Sequence, residues 1–89
     1  MPEKIWTDTA WEDYLYWQTE DRKTLRRINQ LIRDIERNGC VNGIGKPEAL
    51  TGEWQGAFSR RIDDKNRLVY RMENGRICIL QCRGHYSDR

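Results

Sequence analysis

The chain has 89 residues, with sixteen Lys and Arg against fourteen Asp and Glu, one histidine and a net charge of +2. That length suits one domain spanning 1–89 and excludes two independent cores, and no run of 18 apolar residues long enough to cross a membrane occurs. Charged residues (34%) nearly equal hydrophobic ones (37%), a balance that would leave the chain disordered without the four Trp, four Tyr and one Phe that can anchor a core.

So modest a charge excludes a freely basic nucleic-acid binder, and any phosphate recognition must come from a local patch. Residues 1–45 carry a net −1 and residues 46–89 a net +3, which puts the basic surplus in the C-terminal half. Three cysteines is an odd number. Cys78 and Cys82, four apart on one predicted strand, stand about 13 Å apart, beyond the roughly 7 Å that a disulfide spans. With no signal-peptide core, a cytosolic protein with reduced thiols and no membrane partner is expected. Cys82 and His85 form a lone Cys-x-x-His, short of a zinc site's three or four ligands, so neither a metal nor another cofactor is expected.

In chain order, Lys4-Ile5-Trp6-Thr7 reads as a short strand. Thr7 or Asp8 can cap a helix running to about Thr19, and Thr9 with Glu12 fits a capping box. Trp11, Tyr14, Leu15 and Gln18 follow helical spacing, with Tyr16 and Trp17 beside them, and this stripe is expected to pack on a sheet. Asp21 or Thr19 opens a second helix to about Asn38, with Leu25, Ile28, Leu31, Ile32 and Ile35 as its apolar face and Gly39 as its stop. Arg22, Lys23, Arg26, Arg27, Arg33 and Arg37 fall largely on its other side. Both an ordinary solvated face and a contact with RNA or an acidic partner fit that pattern.

The glycine-rich stretch 39–46 and Lys46-Pro47 make a loop that presents Glu48; it lacks the spacing of a Walker loop. The C-terminal half reads as a meander of strands at 57–62, 67–72 and 76–83, with Asn74-Gly75 as a hairpin turn. Strict alternation turns Leu68, Tyr70 and Met72, and Cys78, Leu80 and Cys82, toward the helices. It puts Arg67, Val69 and Arg71, with Ile77, Ile79, Gln81 and Arg83, on the far face. The expected fold class is α+β, with two N-terminal helices packed on an antiparallel β-sheet.

Three residues could carry the chemistry. The only histidine, His85, follows the last strand between Arg83 and Tyr86, and a histidine ordinarily titrates near pH 6.5, where it can give or take a proton. Glu48 supplies a base and Arg67 a charge stabiliser, so phosphodiester transfer is within reach of this set. Singly, each residue has a plainer role open to it. Glu48 fits a turn cap, Arg67 a pair with Asp63 or Asp64, and Tyr86 packing at the sheet edge.

The segments Ile5-Trp6, Trp11-Glu12-Asp13-Tyr14-Leu15-Tyr16-Trp17-Gln18, Gly45-Lys46-Pro47-Glu48, Ser59-Arg60-Arg61-Ile62, Arg67-Leu68-Val69-Tyr70 and Cys82-Arg83-Gly84-His85-Tyr86 resemble the YoeB/Txe group of RelE-superfamily toxins over nearly the whole chain. The resemblance implies a RelE-like, microbial ribonuclease-like fold and ribosome-dependent cleavage of mRNA without a metal. It implies Glu48 as general base, His85 as general acid, Arg67 as phosphate stabiliser and Tyr86 as the ring that orients a base, with Lys46, Arg61 and Arg83 as further substrate contacts. The implied partners are a YefM-like antitoxin, the ribosome and its mRNA, operator DNA through the antitoxin complex, and a second copy in a homodimer. Three positions depart from the family pattern. Thr51 stands where Lys is frequent, Gly84 replaces an aromatic and is expected to loosen the turn before His85, and Ser87-Asp88-Arg89 extend past the usual end, with Asp88 in reach of Arg83. A gyrase-poisoning toxin of the ParE branch and a module that only binds antitoxin and operator DNA are the competing readings.

Overall fold

The computed structural model describes residues 2–86, so expectations for Ser87, Asp88 and Arg89 lie outside the described residues. The elements in chain order are β1 (Lys4–Trp6), α1 (Asp8–Glu20), α2 (Arg22–Asn38), β2 (Glu48–Ala49), a 3-10 turn (Gly52–Trp54), β3 (Phe58–Arg61), β4 (Arg67–Glu73) and β5 (Arg76–Gln81). The α+β expectation holds, and no helix among the described residues is long and apolar enough to cross a membrane.

Local chemistry sets the helix boundaries. Thr7 caps α1, its hydroxyl accepting the Ala10 N–H at 3.1 Å, so the Thr9 and Glu12 pair falls inside the helix and not at its cap. Asp21 both ends α1 and starts α2. Its extended backbone breaks the helix, and its carboxylate accepts the Lys23 and Thr24 N–H groups at 3.1 and 3.3 Å. Gly39, at φ +84°, supplies the left-handed residue that ends α2.

The strands form one sheet in the order β1-β5-β4-β3-β2. The expected antiparallel meander accounts for β3, β4 and β5; β2 adds a fourth antiparallel strand where a loop was expected, and β1 runs parallel to β5, with Ile5 beside Cys78, so the sheet is mixed. The reason is topological. Three successive antiparallel reversals leave β5 running opposite to β2, and β1, from which the chain returns to β2 through the two helices, also runs opposite to β2, so β1 and β5 point the same way.

Both helices cover one face. Ala10 and Trp17 of α1 and Ile28, Leu31, Ile32 and Ile35 of α2 pack on Leu68, Tyr70, Ile77, Ile79 and Cys82. Each buried aliphatic side chain contributes roughly 1.5–3 kcal/mol by leaving water. The expected faces of β5 are partly reversed, because Val69 pairs with Gln81 but Tyr70 with Ile79, leaving Leu80 as the extra residue of a bulge. The bulge resets the alternation. Ile77 and Ile79 face the helices and Leu80 turns to the opposite face, against the period-two reading, whereas Gln81 and Cys82 follow it.

The apolar stripe of α1 also differs from expectation. Trp11, Leu15 and Tyr16 remain exposed, whereas Ala10, Asp13 and Trp17 are buried. Asp13 turns inward because its carboxylate accepts the buried Cys82 N–H at 3.0 Å, a role that hydrophobic patterning cannot register.

Candidate functional site

The face of the sheet turned away from the helices is built from cross-strand neighbours. Glu48 pairs with Ser59, Ser59 with Val69 and Val69 with Gln81, so these four side chains share one row across β2, β3, β4 and β5. Arg61 and Arg67, two residues along from Ser59 and Val69, pair with each other and form the adjacent row on the same face. Glu48 thus stands on a short edge strand and not in an open loop. Backbone bonds from Arg61 N–H to the Gly45 carbonyl (2.6 Å) and from Leu50 N–H to the Ala57 carbonyl (3.0 Å) fix that strand on both sides. The first of these keeps exposed Lys46 at the Arg61 end of the rows, at φ +51°.

Tyr86 reaches this face too. Its ring packs with Leu50, Ala57, Val69, Leu80 and Trp54, and meets the Trp54 indole edge-on at 6.4 Å between centroids. The His85 ring lies 4.3 Å from the Tyr86 ring. Trp54 gave no functional signal in the sequence, because a single tryptophan among Gly52, Glu53 and Gln55 shows no periodicity.

The route from β5 to His85 is held at two points. At Cys82, Asp13 accepts the backbone N–H while the Trp17 indole donates to the carbonyl at 2.9 Å. At Gly84, the N–H donates to Asn66 Oδ1 at 2.7 Å and the carbonyl accepts the Arg67 N–H at 3.0 Å. Gly84 adopts φ +75°, which a side chain would disfavour. The expectation that this glycine loosens the turn is therefore corrected, since both of its backbone groups are bonded.

Arg67 does not pair with the Asp63 or Asp64 carboxylates. Its Nη1 donates to the carbonyls of Asp63 (2.7 Å) and Asn66 (3.1 Å), and its Nε and Nη2 make no hydrogen bond among the described residues. A guanidinium oriented in this way keeps donors for a ligand. Arg61 forms an ion pair with the exposed Asp64. Arg83 is not brought into the rows with Glu48 and Arg67. Its guanidinium lies 3.7 Å from the centre of the Tyr16 ring of α1, a cation–π contact on the helix side, contrary to its expected place on the far face.

Two structural polar groups shape the surroundings. Arg60 is completely buried, and its guanidinium donates to Asp34 (2.5 Å), Tyr70 (2.9 Å) and the carbonyls of Gly39 (2.7 Å), Asn42 (2.7 Å) and Ile44 (3.0 Å). It thereby folds the 39–44 stretch that leads to Glu48. Burial raises the Asp34 carboxyl, but hydrogen bonds from Arg60, the Ile44 N–H and Asn38 outweigh it and hold the group below the usual carboxylate range. Asp63 behaves alike. Burial pushes it up, while bonds from the Asn66 side chain and the Lys65 and Asn66 N–H groups, with the Arg67 charge, bring it below 3.8. Among the described residues no three His, Cys, Asp or Glu side chains converge as metal ligands would.

An acidic side chain, two arginines and a tyrosine on one face of a two-helix sheet fold, with a histidine ring beside that tyrosine, invite comparison with known proteins. Residues 6–86 match the family model of the YoeB-like toxin of bacterial type II toxin-antitoxin systems. Toxin YoeB of Mycobacterium bovis is 54% identical over 77 residues, covering 86% of this chain and 89% of that protein. Among solved structures, the toxin in a heterotetrameric YoeB–YefM complex from Staphylococcus aureus superposes with a TM-score of 0.89 at 42% identity, covering 97% of this chain and 99% of that one. A YoeB dimer from the same organism gives 0.89 at 42% identity over 96% and 98% of the two chains. Sequence and fold agree, and the chain belongs to the family of YoeB-like toxins of bacterial type II toxin-antitoxin systems.

Proposed function

We propose that this toxin is a ribosome-dependent endoribonuclease that cuts mRNA in the ribosomal A site and so stops translation. Glu48 takes the proton from a ribose 2′-OH as the 2′-oxygen attacks the adjacent phosphorus. The P–O5′ bond breaks, and the His85 imidazolium gives its proton to the departing 5′-oxygen. The products are a 2′,3′-cyclic phosphate and a 5′-OH, with Glu48 left protonated and His85 neutral. All the steps are proton transfers and an internal displacement, with no cofactor.

Arg67 stabilises the charge that gathers on the phosphoryl oxygens. Its Nη1 is committed to turn carbonyls, which orients the guanidinium before substrate arrives. Removing such a donor costs on the order of 3 kcal/mol, about a hundredfold in rate. Tyr86 stacks on a splayed base, Lys46 and Arg61 contact the backbone, and Arg83, held on Tyr16, supports the strand exit. The observation that supports this reading most is the shared face: Glu48 and the Arg61–Arg67 pair occupy adjacent rows, and Tyr86 packs on that same face beside His85.

A YefM-like antitoxin with an acidic tail is the natural inhibitor, covering the arginine face, and the toxin pairs with a second copy of itself. The complex and the dimer of the Staphylococcus aureus relative support both assignments. Ribosomes locate the reaction in the cytoplasm. Assaying mRNA cutting on programmed ribosomes beside DNA supercoiling by gyrase tests the proposal. Cleavage of ribosome-bound but not free mRNA, with gyrase unaffected, is expected; inhibited gyrase with intact mRNA would overturn it.

A further inference from the structure

Asn66 has no part in the chemistry described so far, yet its side chain bonds the backbone of Gly84, the residue just before His85. It ends the turn between β3 and β4, and its Oδ1 accepts the Gly84 N–H at 2.7 Å, from a residue eighteen positions later in the chain. Its Nδ2 donates to both Asp63 carboxylate oxygens at 3.0 Å, and its own N–H donates to Asp63 Oδ1 at 2.8 Å. The amide is therefore locked from one side by Asp63 and delivers its oxygen to Gly84 on the other. Arg67, the next residue, completes the grip by donating its N–H to the Gly84 carbonyl at 3.0 Å.

The consequence lies in what remains between the fixed points. Cys82 is bound by Asp13 and Trp17, and Tyr86 is packed on the far face. Arg83, Gly84 and His85 alone connect them, and the central residue is a glycine at φ +75°, the residue type least able to hold a conformation by itself. With no side chain of its own at that glycine, bonds to its peptide groups fix its place in the turn. One of them comes from a side chain, and that side chain is Asn66.

We infer that Asn66 is a positioning residue that sets the imidazole of His85 for proton delivery to the departing 5′-oxygen, while its neighbour Arg67 sets the phosphate. The inference rests on the nuclease reading above. One turn thereby places the acid and the charge stabiliser together. General acid catalysis requires hydrogen-bond reach, and a displacement of about 1 Å costs on the order of a hundredfold in rate.

The test compares the full-length wild-type protein with Asn66→Ala and Asn66→Asp in single-turnover cleavage on programmed ribosomes, after melting curves establish that each variant is folded. Asn66→Ala is expected to lower the saturated rate by about a hundredfold and to leave the half-saturating ribosome concentration unchanged. Asn66→Asp keeps an oxygen for the Gly84 N–H but replaces the Nδ2 donor with a second carboxylate against Asp63, so it is expected to fall between wild type and Asn66→Ala. The decisive substrate is an mRNA with sulfur in place of the scissile 5′-oxygen, whose thiolate departs without a proton. It restores the rate of Asn66→Ala and of His85→Ala but not of Arg67→Ala. Wild-type cleavage by Asn66→Ala, or a deficit that the sulfur substrate leaves in place, overturns the inference and spares the nuclease reading. A wild-type protein that leaves both mRNAs intact overturns the nuclease reading and the inference with it.

Discussion

Replacing Arg60 by Met removes the buried cation, the only one among the described residues, that folds the chain ahead of Glu48. The side chain is fully shielded from solvent and donates five hydrogen bonds, to Asp34, Tyr70 and the carbonyls of Gly39, Asn42 and Ile44. Charged hydrogen bonds each contribute about 1.5–3 kcal/mol, and five of them would match or exceed the roughly 4–13 kcal/mol total stability of a domain this size. That sum overstates the loss, because the three carbonyls belong to a surface loop that can turn to water. Breaking a buried ion pair typically costs about 3–5 kcal/mol, and about 4 is expected here. For a domain of this length that lowers Tm by roughly 15–30 °C. Arg60→Lys keeps the charge but offers three donors in place of the guanidinium fork, so it should cost about 2 kcal/mol. Urea unfolding followed by tryptophan fluorescence, with thermal melts by circular dichroism, measures both. Hydrogen exchange should show the 40–46 amides opening before the rest of the chain. An Arg60→Met protein that melts within about 5 °C of wild type would refute the account of this loop.

Other substitutions and conditions give equally direct outcomes. Gly84→Ala forces a side chain into φ +75° and should cost about 1–2 kcal/mol in urea unfolding, together with a loss of cleavage. Trp54→Ala removes the edge-on partner of Tyr86 and part of the small far-face cluster, a loss of roughly 2 kcal/mol that near-UV circular dichroism should also register. Asp34 and Asp63 titrate below 3.8 in the folded protein, so as pH falls the unfolded chain takes up protons first. Their stabilisation is complete above about pH 5 and disappears as pH falls through the folded values. An NMR titration should show the Asp63 pKa rising in Asn66→Ala.

The sequence made some of this architecture legible and hid the rest for identifiable reasons. Helix α2 was plain because Ile28, Leu31, Ile32 and Ile35 repeat at helical spacing and all four are buried. The β4–β5 hairpin was equally plain, since Asn74 and Gly75 both take the positive φ that such a turn demands. The faces of β5 were not legible from Ile77 to Leu80, because a bulge is decided by the partner strand and leaves no mark on local alternation. The parallel pairing of β1 depends on the count of reversals across the whole sheet. Asp13 and Arg60 look like surface charges in one dimension; their burial follows from acceptors and donors brought from residues 82 and 34–44. Glu48, Arg67 and His85 are legible as a base, a charge stabiliser and an acid from their residue types, and the family motifs add Tyr86 and the role of each. Asn66 lay in a polar turn, and only its bond to a backbone group eighteen residues later sets it apart.

The most direct test of the central claim is primer extension on ribosome-bound mRNA treated with the wild-type protein, Glu48→Ala or His85→Ala. Acid–base catalysis predicts discrete cuts at the A site by the wild type and a fall of about two to four orders of magnitude for each variant. Cutting that survives both substitutions, or mRNA that stays intact while growth still stops, would contradict it.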